Sequence, residues 1–198
     1  VMKNDPAPMN GSQLFGVLYG SQFKFDKEKM PAEIDALREK LMKEYEEGEK
    51  PERKKRILLT GCPSSGAPMK VVKAIEEHGG NVVVYENCGG AKSVDRLIDE
   101  DAEDIYKAIA ERYLAIGCSV MTPDNNRIEL MGRLLEEYNI EGVVEMTLQA
   151  CHTYNIEAKS IEKFVKSKGL PYIHVETDYS QADIGQLDTR IAAFLEMI

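Results

Sequence analysis

The chain has 198 residues, 43% of them hydrophobic and 30% charged, which is enough apolar material for one α/β domain with a buried core and excludes a disordered segment. A net charge of −9, with acidic groups scattered along the helices, excludes a nucleic-acid partner, because phosphate binding needs clustered Lys and Arg. No apolar run reaches membrane-spanning length and no export signal stands out, so no membrane association is expected and a cytoplasmic location is.

The opening Val1-Met2-Lys3-Asn4-Asp5-Pro6-Ala7-Pro8 has no initiator at position one and a linker-like composition, as though a longer polypeptide continued upstream. Residues 9 to about 50 read as helical and highly charged. Leu14, Phe15, Val17 and Leu18 form a short apolar stretch, and residues 31–47 place Ile34, Leu37, Leu41 and Met42 on one helical face. The run from Gly48 to Pro51 breaks that pattern. The basic cluster Arg53-Lys54-Lys55-Arg56 then reads as the cap of a linker. Two units follow from this: a helical inter-domain segment over 1–54 and a carboxy-terminal α/β domain over 55–198.

From Arg56 the chain alternates strand and helix. Residues 56–60 form a short apolar run suited to a strand buried on both faces. A helix begins at Pro68 with Val71, Val72 and Ile75 as its stripe, and His78-Gly79-Gly80 ends it. Further strands are predicted at 81–85, 142–146 and 171–175. Amphipathic helices are predicted at 101–114, 125–138 and 155–168. A last helix carries Ile184, Leu187, Ile191, Phe194, Leu195 and Ile198. Strands separated by helices of this length imply right-handed crossovers. The fold class is a three-layer, flavodoxin-like or Rossmann-like α/β domain with a parallel four-stranded sheet, preceded by a helical segment.

In such a sheet ligands bind beyond the carboxyl ends of the strands. Three of the four cysteines fall there: Cys62 in Thr60-Gly61-Cys62-Pro63, Cys88 in Glu86-Asn87-Cys88-Gly89-Gly90, and Cys151 in Gln149-Ala150-Cys151-His152. Cys118, in Gly117-Cys118-Ser119, follows a helix and could reach the same edge. The fourth strand delivers Glu176, Thr177, Asp178 and Tyr179 there as well. Without an export signal, thiolate chemistry or plain burial is expected rather than a disulfide framework. Gaps of 26, 30 and 33 residues match no zinc ribbon or ferredoxin spacing. Convergence on one edge next to glycines, whose N–H groups can donate to cluster sulfurs, points to a shared metal site, either iron–sulfur or zinc, against the alternative that each thiol is buried packing. The turn from Gly61 to Gly66 resembles a phosphate cradle at a helix N-terminus but lacks both common nucleotide-binding signatures. His152 beside Cys151 could relay protons, whereas His78 and His174 read as structural.

At these loops the sequence resembles a known family. Thr60-Gly61-Cys62-Pro63, Glu86-Asn87-Cys88, Gln149-Ala150-Cys151-His152-Thr153-Tyr154, Glu176-Thr177-Asp178-Tyr179-Ser180 and Arg190-Ile191-Ala192-Ala193-Phe194-Leu195-Glu196 together are similar to the 2-hydroxyglutaryl-CoA dehydratase D-component family, which includes 2-hydroxyacyl-CoA dehydratase and benzoyl-CoA reductase subunits. The resemblance covers essentially the whole chain, as the second half of a longer polypeptide.

It implies a two-component system, in which an ATP-hydrolysing iron–sulfur activator passes a low-potential electron to a 4Fe-4S cluster in this component. The substrate is then a CoA ester or another small molecule, and pairing with a like or unlike subunit is expected. Cys151 matches the family's cluster ligand from this domain, and the remaining ligands of a single cubane would come from the other half. Cys88 and Cys118 make the chain look more like the double-cubane cluster proteins, in which further cysteines are recruited; thiolates are the ligands such clusters select. Cys62 is expected to pack near the cluster rather than bind it. By itself the chain is expected to be inactive and short of cluster ligands. Readings from other classes are a flavodoxin-like cofactor-binding module using the Gly61 turn, and a non-catalytic scaffold or dimerisation domain with all four thiols buried.

Overall fold

The computed structural model describes residues 1–63 and 66–198. Four strands, β1 (Lys55–Gly61), β2 (Gly80–Glu86), β3 (Gly142–Leu148) and β4 (Tyr172–Thr177), pair in parallel in the order β2-β1-β3-β4. The central strands are apolar on both faces because both faces are covered. Ile57 and Leu59 point to one layer and Leu58 to the other, and all three are buried. The expected three-layer α/β class is thus the observed one, and the strand order is flavodoxin-like.

One layer is built by α3 (Ala67–Glu77) and α8 (Ile184–Glu196), whose Val71, Val72, Ile75, Leu187, Ile191 and Phe194 pack on Val82, Val144, Met146 and Val175. Opposite them lie α6 (Asn125–Glu137) and α7 (His152–Ser167), with Leu130, Met131, Leu134, Ile161 and Val165 against Leu58, Val83 and Val143. Each such side chain removed from water contributes roughly 1.5–3 kcal/mol.

The first residues pack into the same core. Met2, Ala7 and Met9 are buried with the α6 face, and α1 (Gly11–Gln22) lies along edge strand β2. Asn10 caps α1 reciprocally with Gln13. Gly11 sits where a Cβ would come within 2.7 Å of Val82 Cβ, so only glycine allows this approach. Asn81 Nδ2 donates to Met9 O at 3.0 Å and Tyr85 Oη to Gly11 O at 2.7 Å, fixing the helix to the strand.

Arg56 is not a linker cap. Its side chain is buried, and its three nitrogens donate to Tyr138 O, Asn4 O and Met2 O at 2.7, 2.8 and 2.8 Å. The guanidinium thereby collects two carbonyls of the irregular opening segment and one at the C-terminal end of α6.

Two helices depart from the predicted pattern. Helix α2 (Met30–Glu47) forms where expected, but Tyr45 is its only buried residue and Ile34 is exposed. The helix predicted over 101–114 starts later, as α5 (Ile105–Leu114), because the Asp104 side chain caps it by accepting from Lys107 N–H. None of its residues is buried, and Tyr106, Tyr113 and Leu114 face outward. A short turn of helix, α4 (Ala91–Val94), directly follows the Cys88 loop. Among the described residues no helix is long and apolar enough to cross a membrane.

Candidate functional site

The strand order reverses between β1 and β3, and the loops leaving these two strands frame the crevice where ligands of open parallel sheets bind. Cys62 leaves β1 and Cys151 leaves β3. Gly61, at φ +113°, turns the chain so that Cys62 N–H donates to Met146 O at 2.9 Å; a Cβ on residue 61 would lie 2.0 Å from that same oxygen. Cys62 is buried, and its Sγ accepts from Leu148 N–H at 3.4 Å. Burial is the main reason its thiol is pushed up to about 12, with Cys151 adding to the rise and the Leu148 N–H opposing it.

Cys151 caps the N-terminus of α7 and follows Ala150, which is held at φ +64°. Desolvation acts against its thiolate, but the Tyr154 N–H, the Thr153 hydroxyl and Cys62 outweigh it, so the pKa falls below the usual thiol value. Exposed N–H groups and the aligned peptide dipoles at a helix N-terminus favour negative charge there.

The other two cysteines lie on the β2 side. Cys88 is exposed as a residue, yet desolvation of its thiol raises the pKa, Lys92 opposes that rise, and Cys118 lies close enough to add to it. The four thiols are therefore arranged as two neighbourhoods, Cys62 with Cys151 and Cys88 with Cys118. Tyr154 stands between them. It lies one turn along α7 from Cys151 and interacts with Cys88 and Cys118, while its hydroxyl accepts from Lys92 Nζ at 3.4 Å. Among the described residues no group of three or more His, Cys, Asp or Glu side chains is gathered tightly enough to enclose a metal ion.

Beneath the thiols runs a charge network that inspection of the sequence missed. Arg127, at the start of α6, has no solvent exposure; it donates to Thr60 Oγ1 at 2.8 Å, to Glu145 Oε1 at 3.0 Å, to Glu86 Oε2 at 3.3 Å and to the Glu157 carboxylate. Lys92 Nζ lies 3.3 Å from Glu86 Oε1 with both side chains buried, and Tyr172 Oη donates to Glu145 Oε2 at 2.6 Å. Desolvation works against the Arg127 cation, but Glu86, Glu145 and Glu157 outweigh it and hold its pKa above the ordinary value. Desolvation raises Glu145, with Arg127 and Tyr172 opposing. The one signal available beforehand was Glu145 itself, a carboxylate in the middle of the apolar run Gly142-Val143-Val144-Glu145-Met146. Such a group can be buried only with a partner.

The remaining edge residues hold the framework. Lys70 of α3 donates to Ser180 O at 2.8 Å and pairs with Asp183 at 2.5 Å, pinning the loop after β4. Glu176 accepts from Asn155 Nδ2 at 2.6 Å. His174 contacts Thr147 Oγ1 at 2.8 Å and His78 pairs with Asp188 at 2.8 Å, both in structural settings, while His152 opens α7 with an exposed side chain. Of the phosphate-cradle turn, residues 64 and 65 lie outside the described residues. A pocket of about 220 Å³ adjoins Cys88, walled by Phe15, Leu18, Tyr19 and Tyr85.

Comparison with known proteins shows the family of the chain. The family model of the 2-hydroxyglutaryl-CoA dehydratase D-component matches residues 1–198. The chain belongs to that family. It is 48% identical over 195 residues to YjiM of Escherichia coli (strain K12), a protein named as a dehydratase subunit, covering 98% of this chain and 51% of that one. It is 23% identical over 161 residues to a subunit of benzoyl-CoA reductase from Thauera aromatica, covering 77% of this chain and 36% of that one. Against the beta subunit of (R)-2-hydroxyglutaryl-CoA dehydratase from Acidaminococcus fermentans it is 25% identical over 104 residues, covering 50% of this chain and 27% of that one. The D-component chain thus spans about half the length of YjiM and less of the other two relatives.

Proposed function

We propose that this chain is the carboxy-terminal part of the iron–sulfur component of an ATP-dependent two-component dehydratase or reductase. The observation that supports the reading is that Cys62 and Cys151 leave β1 and β3 at the switch point of a D-component domain, with Cys88 and Cys118 in a second neighbourhood on the β2 side. Within that reading, Cys151 is the ligand this domain supplies to a 4Fe-4S cluster, and Cys88 and Cys118 extend the set toward a double cubane. Cys62 packs beside them. The donor chemistry fits: thiolates are the ligands iron–sulfur clusters select. When bound, the cluster supplies one-electron chemistry at low potential, fed by a separate ATP-hydrolysing iron–sulfur activator.

The chain's own residues have distinct tasks. The N-terminus of α7 favours the Cys151 thiolate through backbone N–H groups. Lys92 opposes the rise that burial imposes on the Cys88 thiol, and Lys92 and Arg127 together hold Glu86, Glu145 and Glu157 in the buried network. The pocket beside Cys88 leaves room for a small molecule or one end of a CoA ester.

Iron, acid-labile sulfide and zinc measured on the full-length protein, purified without oxygen, test this. About eight irons per chain are expected for the double cubane and about four for the single one. Absence of iron in protein that retains four reduced thiols in this domain overturns the reading in favour of a scaffold.

A further inference from the structure

Cys62 and Cys151 approach each other across one residue of β3. Leu148 donates its N–H to Cys62 Sγ at 3.4 Å, and its carbonyl accepts from Cys151 N–H at 3.0 Å. Cys62 belongs to the packed cluster against which Cys151 lies. Their access differs: Cys62 is 3% exposed, whereas Cys151 opens partly to solvent at the head of α7. An outside reagent therefore meets Cys151 before Cys62.

We propose that Cys62 and Cys151 form a thiol–disulfide couple, with Cys151 accepting an adduct from a low-molecular-weight disulfide and Cys62 resolving it into an intrachain bond. In the first step the Cys151 sulfur attacks one sulfur of the reagent, a protein–reagent disulfide forms, and the first small thiol leaves with the Cys151 proton. Cys62 then attacks the Cys151 sulfur, the mixed disulfide breaks, and the second small thiol leaves with the Cys62 proton. Two protein thiols are oxidised by two electrons, and one small disulfide is reduced to two thiols. The Leu148 N–H, already directed at Cys62 Sγ, stabilises the charge that develops there during attack. Gly61 and Ala150, both at positive φ, shape the two loops that carry Cys62 and Cys151 to either side of Leu148.

The couple itself requires no metal. Its consequence, that oxidation withdraws Cys151 from cluster binding, rests on the function proposed above. The test uses full-length protein stripped of metal by a chelator under reducing conditions and then freed of both reagents without oxygen. Oxidised glutathione is added, samples are acid-quenched and alkylated over time, and peptides are mapped by mass spectrometry. The expected result is a short-lived glutathione adduct on Cys151 giving way to a peptide containing Cys62 linked to one containing Cys151. In Cys62→Ser, and separately in Cys62→Ala, the adduct should persist about tenfold longer or more. An adduct equally long-lived in all three proteins with no linked peptide overturns the proposal, as does linkage of Cys151 to a different cysteine. Iron content of the untreated protein is scored separately. A linked peptide in protein that never held iron leaves the couple standing and removes the cluster reading; iron without a linked peptide does the reverse.

Discussion

Arg127 Nε lies 3.3 Å from Glu86 Oε2, and neither side chain has any solvent exposure. The pair joins α6 to the last residue of β2, and through Thr60 and Glu145 the same guanidinium also holds β1 and β3. The buried cation therefore touches three of the four strands at the edge where the cysteines emerge.

Replacing Arg127 by Met should accordingly destabilise the domain by about 3–5 kcal/mol, since Glu145 would stay buried with no cation beside it and Glu86 would keep only Lys92. Urea unfolding followed by circular dichroism measures this. A loss below about 1 kcal/mol would mean that the carboxylates take up protons at little cost and that the network contributes little to folding. The double variant in which Glu145→Gln accompanies Arg127→Met should recover part of the loss, because the buried carboxylate left without a cation is removed.

A carboxylate at the rim of this network gives a pH signature. Asp124 caps α6 by accepting from Arg127 N–H at 3.2 Å, and burial, followed by the nearby Glu157 carboxylate, holds it up to about 6 against an ordinary 3.8. The folded state therefore retains a proton that the unfolded state has already lost. Stability from this group is fully present below about pH 4 and falls as pH rises toward 6. Solvent screens a half-exposed group, so the effect is about 1 kcal/mol. Asp124→Asn keeps the cap and cannot ionise; denaturant midpoints for it should decline less between pH 4 and 6 than those of the unsubstituted protein.

Strands and cysteine placement were legible in the sequence for a physical reason. Runs such as 57–59 and 82–84 are apolar on successive residues, and once they are strands of a parallel sheet, Cys62, Cys88 and Cys151 must emerge at one edge. What could not be read lies in partnerships without periodicity. Arg56 looks like one more member of a basic run until its three nitrogens are seen on Met2, Asn4 and Tyr138. Arg127 sits in a polar first helical turn, and nothing local marks Glu86, Glu145 and Glu157, spread over 71 residues, as its partners. The pairing of the thiols was also hidden, because it depends on Leu148 standing between two loops.

Arg56→Ala should release the opening segment. Three carbonyls would lose a buried charged donor, and Met2 would lose the bond that ties it to β1. A cost of about 2–4 kcal/mol is expected. The diagnostic readout is faster amide exchange over residues 2–10, with β1 to β3 less affected; uniform exchange across the chain would show that the segment and the sheet unfold as one unit.

Replacing Gly61 by Ala should damage the site through the backbone rather than through any lost side chain. At φ +113° an L residue is strained, and the new Cβ would meet Met146 O at 2.0 Å, a contact that neither a rotamer change nor a flexible neighbour can relieve. The end of β1 must then part from β3, breaking the Cys62 N–H bond to Met146 O and moving Cys62 away from Leu148 and Cys151. The expected outcome is a loss of about 3 kcal/mol or more in denaturant unfolding, together with a buried thiol that becomes reactive. Timed alkylation separates the two effects: in the native-sequence protein Cys62 should label last of the four cysteines, and in Gly61→Ala it should label with the exposed ones. If Cys62 stays protected while stability falls, the turn has adjusted locally and the sulfur's position is set by the packing of α3 and β3 around it. If stability and protection are both unchanged, the left-handed turn is not what aims Cys62 at Cys151.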